Sequence, residues 1–248
     1  MSDVPPTSLL YHTDSYLNTF EAKVVALGGN AVALESTAFY PGGGGQMADR
    51  GVLVVDGRHL PLTGLRKENE IVWHEVDPDA GMLPEVGASV TGEIDWPFRY
   101  QMMRTHTALH LLCGIIFRDY GAQVTGGHMY PDRARMDFAI ETFSQDFIHE
   151  IEMRVNETAA EDHAVKVYSL PREAAMEIPD LIRTKINLLP PEINQIRIVE
   201  IEGVDLQADG GTHVASTREV GRIKVLKTEN KGKQNKRMEI TLVDGAAS

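Results

Sequence analysis

"FRYQMMRTHTALHLLCGIIFRDYGA", residues 98–122, is where the chain changes its period. Apolar residues recur there at three- and four-residue intervals, Pro97 stands at the start and Gly121 at the end, so the spacing predicts one long helix. Upstream, residues 1 to about 96 alternate with period two between turn signals. "EAKVVALGGNAVALES" turns back at Gly28-Gly29-Asn30 and "GVLVVDGRHLPL" at Asp56-Gly57, and "IVWHEVD" and "GASVTGEIDW" add two further strands. This segment reads as a small β-barrel or meander, with a domain boundary near residue 97.

Beyond the helix, "TGGHMYPD" at 125–132 reads as a Gly-rich turn and "RARMDFAI" as a strand. A second long helix starts at a Ser144 cap, "HAVKVYSL" is a strand, and "PREAAMEI" is a short helix opened by proline. "QIRIVEIEG", "EVGRIKVLKTE" and "KRMEITLVDG" make the C-terminal end β-rich. The expected fold class is α+β: an N-terminal small β-barrel domain over 1–96, then a two-layer α+β domain over 97–248 with an antiparallel sheet and two long helices.

A chain of 248 residues that is 42% hydrophobic can bury a sizeable core. No apolar run has the length of a membrane helix, and "MSDVPPTSLLYHTDSY" has neither a basic leader nor an apolar signal core, so a cytoplasmic protein without a membrane partner is expected. The net charge of −12 argues against a generally basic nucleic-acid binder, DNA included. One local exception is "RIKVLKTENKGKQNKR", Arg222 to Arg237, with seven basic residues and one acid. On composition it is equally a solvated hairpin whose lysines guard exposed strands. The single cysteine, Cys113, excludes an internal disulfide and any all-cysteine metal cluster, leaving nine histidines and the carboxylates for a metal site.

His106 and His110 are four apart, which on a helix puts both rings on one face, the spacing at which two imidazoles hold one metal ion. The alternative is a polar stripe, but Met102, Met103, Cys113 and Phe117 fall near the same stripe and would bury it. Zinc takes four N, S or O ligands, and "QADGGTHVAST", residues 207–217, offers Asp209 and His213 around two glycines that suit a tight loop. Read alone, "DGGTH" also fits a surface turn.

"HTALH" (106–110) followed by "DLQADGGTHVASTREVGRIKV" (205–225) resembles the editing domain of alanyl-tRNA synthetase and its freestanding AlaX-type relatives. "FYPGGGGQMADRG" (39–51) resembles the family's Gly-rich motif, "GGHMYPDRARMDF" (126–138) its central strand entry, and "NKGKQNKRMEI" (230–240) its C-terminal hairpin. No amino-acid-activating segment precedes the Gly-rich motif, so the freestanding, medium-length form is expected. In that family an HxxxH helix and a CxxxH loop hold one zinc ion. The resemblance transfers His106, His110 and His213 directly; the family cysteine is Asp209 here, a fourth ligand only by position. Asp209 can bind the metal through oxygen or orient a histidine, and Cys113 is an alternative sulfur source.

The resemblance implies a zinc-dependent trans-editing hydrolase, with one zinc per chain, that removes serine and possibly glycine from tRNA(Ala). Candidate substrate contacts are Thr37, Gly43, Gly44, Gln46, Thr105 and Thr125; candidate tRNA contacts are Arg104, Lys231, Lys233, Lys236 and Arg237. The rivals are a metal hydrolase of small esters and a tRNA-binding relative with a disarmed or structural metal site.

Overall fold

The computed structural model describes residues 4–186, 189–191 and 193–243. Two compact units divide the chain: Met1–Gly43 with Met47–Gln101, and Gly44–Gln46 with Met102–Ser248.

In the first unit, short strands β1 (Ser8–Leu9) and β4 (Ser36–Thr37) pair in parallel. The barrel strands are β2 (Thr19–Gly28), β3 (Ala31–Leu34), β5 (Gly51–Val55), β6 (Arg58–Glu68), β7 (Ile71–Val76) and β8 (Ser89–Ile94), closed in the order β2-β3-β7-β6-β5-β8. Both expected hairpins form. Val55 pairs with Arg58 across Asp56 and Gly57, whose φ values of 49° and 76° give the two left-handed positions that a tight twisted turn requires. Phe20, Val24, Val32, Leu34, Phe39, Leu53, Leu60 and Val90 fill the barrel.

The neck of the Gly-rich loop is held by charge. Asp49 accepts from the Tyr40 amide at 2.6 Å and from Arg99 Nε at 2.9 Å. The fully buried Arg99 guanidinium also donates to the carbonyls of Ser15 and Ala38, so few of its donors are left without an acceptor.

Helix α1 (Trp96–Tyr120) ends where Gly121 adopts φ 66° and its amide bonds the Phe117 carbonyl. Residues 105–116 are all buried, so the middle of this helix is enclosed rather than half-exposed. The second unit continues with β9 (Val124–Met129), β10 (Ala134–Phe138), α2 (Gln145–Ala160), β11 (Val165–Pro171), α3 (Arg172–Met176), β12 (Gln195–Ile201), β13 (Asp205–Ala208), β14 (Arg222–Asn230) and β15 (Lys236–Val243). One antiparallel sheet runs β14-β15-β10-β9 and another β11-β12-β13. Ser144 caps α2 by accepting from the Phe147 amide, and Asn156 of α2 bonds both backbone groups of Ile223, fixing the helix to β14.

Two elements depart from expectation. The segment read as a Gly-rich turn is largely strand β9, because pairing with β10 from Met129 back to Val124 supplies the hydrogen bonds that its glycines do not advertise. Strand β13 was not foreseen; it adds to β12 from Ile198 to Ile201 immediately before the Asp209 loop. Asp244 and Gly245, the end of the last expected strand, lie outside the described residues.

Candidate metal centre

Helix α1 brings His106 and His110 to one face, with ring centroids 5.1 Å apart. The loop after β13 carries Asp209 and His213 to the same face: the His213 ring lies 4.2 Å from that of His106 and 4.7 Å from that of His110. Gly211 makes this approach possible. A Cβ there would stand 2.4 Å from His106 Cε1 and 2.6 Å from Gln46 Oε1, so any side chain would push the loop off the helix. Asp209 bends the loop from within, its Oδ2 accepting the Gly211 amide at 2.6 Å.

Four side chains therefore converge, with one ligand atom from each and all four atoms within 4.8 Å of one another. Asp209 Oδ1 lies 3.4 Å from His106 Nε2 and 3.9 Å from His110 Nε2, and Oδ2 lies 3.2 Å from His213 Nε2. Two atoms each bound about 2.1 Å from a tetrahedral ion stand roughly 3.4 Å apart, so these separations suit a shared cation. Three imidazole nitrogens and a carboxylate oxygen are also donor types that zinc accepts.

The outward nitrogens are occupied. His106 Nδ1 meets Gln46 Oε1 at 3.0 Å, His110 Nδ1 meets Asp205 Oδ2 at 3.0 Å, and His213 Nδ1 meets Thr107 Oγ1 at 3.2 Å. The first two partners only accept, which puts hydrogen on Nδ1 and turns Nε2 toward the centre; the Thr107 hydroxyl serves either tautomer. Gln46 is itself oriented, its Oε1 accepting the Thr212 amide at 3.1 Å while its Nε2 donates to Thr212 Oγ1 at 2.8 Å.

Electrostatics separate the three rings. Burial lowers His106 to about 4 against the attraction of Asp209, and burial with the His106 charge holds His213 well below its usual range. Burial also opposes charge on His110, but hydrogen bonds to Asp205 and Asp209 outweigh it and raise the ring to about 9. Burial likewise opposes ionised Asp209, yet His106 and the hydrogen bonds from His110 and His213 keep its carboxyl well below the normal value. Of the three rings, His110 is thus the one on which an added proton is favoured, through its hydrogen bonds to Asp205 and Asp209.

Residues 196–239, which contain Asp209, His213 and the basic hairpin, match the family described as threonyl and alanyl tRNA synthetase second additional domain, and residues 12–98 match the class II (A) tRNA synthetases. The chain is 44% identical to the alanyl-tRNA editing protein AlaX-M of Saccharolobus solfataricus, over 95% of this chain and 99% of that one. Identity to AlaX-M of Methanosarcina mazei is 40%, over 97% of this chain and 98% of the relative. The chain belongs to the AlaX-M family of alanyl-tRNA editing proteins. Alanine–tRNA ligase of Pyrococcus abyssi is 39% identical over 92% of this chain, which spans 25% of the ligase.

Within this AlaX-M chain the other expected residues are dispersed. Gln46 joins the cluster through His106, and Thr105 is buried on α1 beside it. Thr37 belongs to the barrel unit, where its hydroxyl meets His74 Nε2 at 2.8 Å and accepts the Phe39 amide. The Gly43 carbonyl accepts from the Tyr40 hydroxyl at 3.0 Å, Gly44 takes φ 55°, and Thr125 donates to Asn235 Oδ1 at the exposed hairpin end.

Of the basic residues, Arg104 Nε and Nη2 donate to the Val220 carbonyl, Arg237 forms a two-point ion pair with Asp137, and Lys236 Nζ donates to the Gly232 carbonyl at 2.7 Å. Lys231 and Lys233 are exposed at the turn, Lys231 Nζ lying 3.7 Å from Glu229. Cys113 is not in the cluster: its sulfur accepts from Gln207 Nε2 at 3.4 Å, and burial pushes its thiol pKa up. The roles of Thr107, Asp205 and Gln207 were not read from sequence, because each is defined by a partner distant in the chain or by the loop's closure.

No helix among the described residues is long and apolar enough to cross a membrane.

Proposed function

We propose that this protein is a trans-editing hydrolase that cleaves the ester joining a wrong amino acid, serine or glycine, to the 3′ end of tRNA(Ala). The observation that carries the reading is the convergence of His106, His110, His213 and Asp209 with their outward atoms held, in a chain of the AlaX-M family. Water adds to the ester carbonyl, the carbon–oxygen bond to the terminal ribose breaks, and free amino acid and tRNA leave. Such a site is needed because an alanine pocket cannot strongly reject the smaller glycine or an amino acid that adds one hydroxyl.

The group proposed for the cluster is one zinc ion per chain, with Asp209 as its oxygen ligand; when bound it supplies a Lewis acid that polarises water or holds the substrate's amino group. Gln46 orients His106 and ties the Asp209 loop to the Gly-rich segment through Thr212. Gly44 and Thr105 are the proposed substrate contacts in the unit that carries the cluster; Gly43 and Thr37 belong to the barrel unit, and Thr125 is bonded to Asn235. Lys231 and Lys233 are the residues best exposed to meet phosphates, whereas Arg104, Lys236 and Arg237 are bonded to Val220, Gly232 and Asp137.

Purified protein should release serine from serine-charged tRNA(Ala) while sparing alanine-charged tRNA(Ala), with one zinc per chain in the same sample. Equal release from both, or none from either, overturns the reading. The carboxylate in place of the family thiolate favours one second reading, a tRNA-binding relative without hydrolysis, which predicts retained binding and no release.

A further inference from the structure

We propose that Asp205 is a positioning residue of this centre, acting through His110, with Arg183 balancing its charge. The inference rests on the metal reading of the cluster and not on the choice of tRNA substrate.

The three histidines differ in what holds them. His106 and His213 lean on neutral oxygens, whereas His110 Nδ1 leans on a carboxylate at 3.0 Å. The Asp205 side chain is wholly buried, and a buried anion is costly unless it is paired. Its partners are specific: Gln207 Nε2 donates to Oδ2 at 2.6 Å, and Arg183 Nε lies 3.5 Å from Oδ1. The Arg183 guanidinium sits over the Phe117 ring, 4.0 Å from its centroid.

One stripe of α1 receives this assembly. His110, Gly114 and Phe117 recur at i, i+4 and i+7, so they share a helix face. Gly114 supplies the room, since a Cβ there would stand 2.8 Å from both Asp205 Cβ and the Val204 carbonyl oxygen. The stripe thus presents an imidazole to the carboxylate, a gap for its backbone and a ring for its arginine.

An uncharged residue would start β13 at less desolvation cost, and Asp205 backbone pairing with Ile201 does not require the carboxylate. What the carboxylate does supply is a fixed Nδ1–H on His110 and a stronger electron donor at Nε2. It also adds a second carboxyl group, beside that of Asp209, to a cluster whose four candidate ligands include no thiol.

The test uses metal alone. Zinc affinity is measured by chelator competition, and the visible absorption of the cobalt-loaded protein is recorded, for wild type, Asp205→Asn and Asp205→Ala. Asp205→Ala should weaken zinc roughly 10- to 100-fold, Asp205→Asn, which keeps an acceptor oxygen, should weaken it less, and both should shift the cobalt bands. Variants that melt earlier yet keep wild-type zinc affinity and an unmoved cobalt spectrum would make Asp205 merely structural and overturn the proposal. Should Asp205→Asn not fold, Arg183→Gln carries the same test through the charge balance, and an unmoved cobalt spectrum there overturns it equally. Wild-type protein that takes up neither ion removes the proposal together with the centre; metal effects as expected beside inert serine-charged tRNA(Ala) remove the editing reading and leave the proposal standing.

Discussion

His74 in the barrel and His106 in the second unit are both buried, and burial lowers both to about 4. Their surroundings differ in one respect. His74 has both nitrogens taken, Nε2 by Thr37 Oγ1 at 2.8 Å and Nδ1 by the Val32 carbonyl at 3.2 Å. His106 has Nδ1 taken by Gln46, while its Nε2 turns to Asp209 and the other two rings. A buried histidine is thus part of a core when both nitrogens are satisfied locally, and part of a site when one is satisfied and the other converges with further donors.

The largest expected effect divides these two cases. His106→Ala should remove the bound metal and take deacylation to background, whereas His74→Ala should leave one metal per chain and lower stability by about 3 kcal/mol through the space and the unpaired acceptor left behind. Metal analysis beside urea denaturation checks both, and loss of metal in His74→Ala would collapse the distinction.

His74 also carries a pH signature of similar size. Its pKa of about 4 in the folded chain lies below the 6.5 of the unfolded one, so between these values the unfolded chain binds the extra proton. The contribution, about 3 kcal/mol, is complete above pH 6.5 and is lost as pH falls toward 4. Denaturation of metal-free protein across that range should show a shallower slope in His74→Leu; an identical slope removes His74 as a source.

The centre should respond over a different range. The proton on His110 must leave before Nε2 can bind a cation, so apparent zinc affinity should rise about tenfold per pH unit up to about pH 9. An indicator dye should register one proton released per zinc at pH 7. A flat profile means that His110 is already neutral.

Smaller effects refine the comparison. Asp209→Cys replaces the carboxylate with the softer thiolate and should tighten zinc about tenfold while making the site sensitive to oxidants. Reversing Lys231 and Lys233 to Glu should weaken tRNA binding severalfold at low salt and little at high salt, as filter binding can show. Unchanged binding removes the hairpin tip from the proposed tRNA surface.

Much of this was readable one residue at a time because the physics is local. The Asp56-Gly57 turn, the Ser144 cap and the His106/His110 spacing each depend on backbone conformation within a few residues. Local signals misled at Gly126 and Gly127, where glycines that suggest a turn lie in an edge strand paired to β10. Gln46 was legible as a site residue in the Gly-rich motif, but its tie to His106 was not, since the partners are 60 positions apart.

By itself, then, the sequence determined the strand-then-helix order, the identity of three histidines and an aspartate as ligand candidates, and the family. Only the tertiary structure decided which face of each imidazole is spare. That choice belongs to Gln46, Thr107 and Asp205, which lie 60, 106 and 95 positions from the rings they hold. A hydrogen bond at 3 Å between such residues exists only after the chain has closed, and no periodicity records it beforehand.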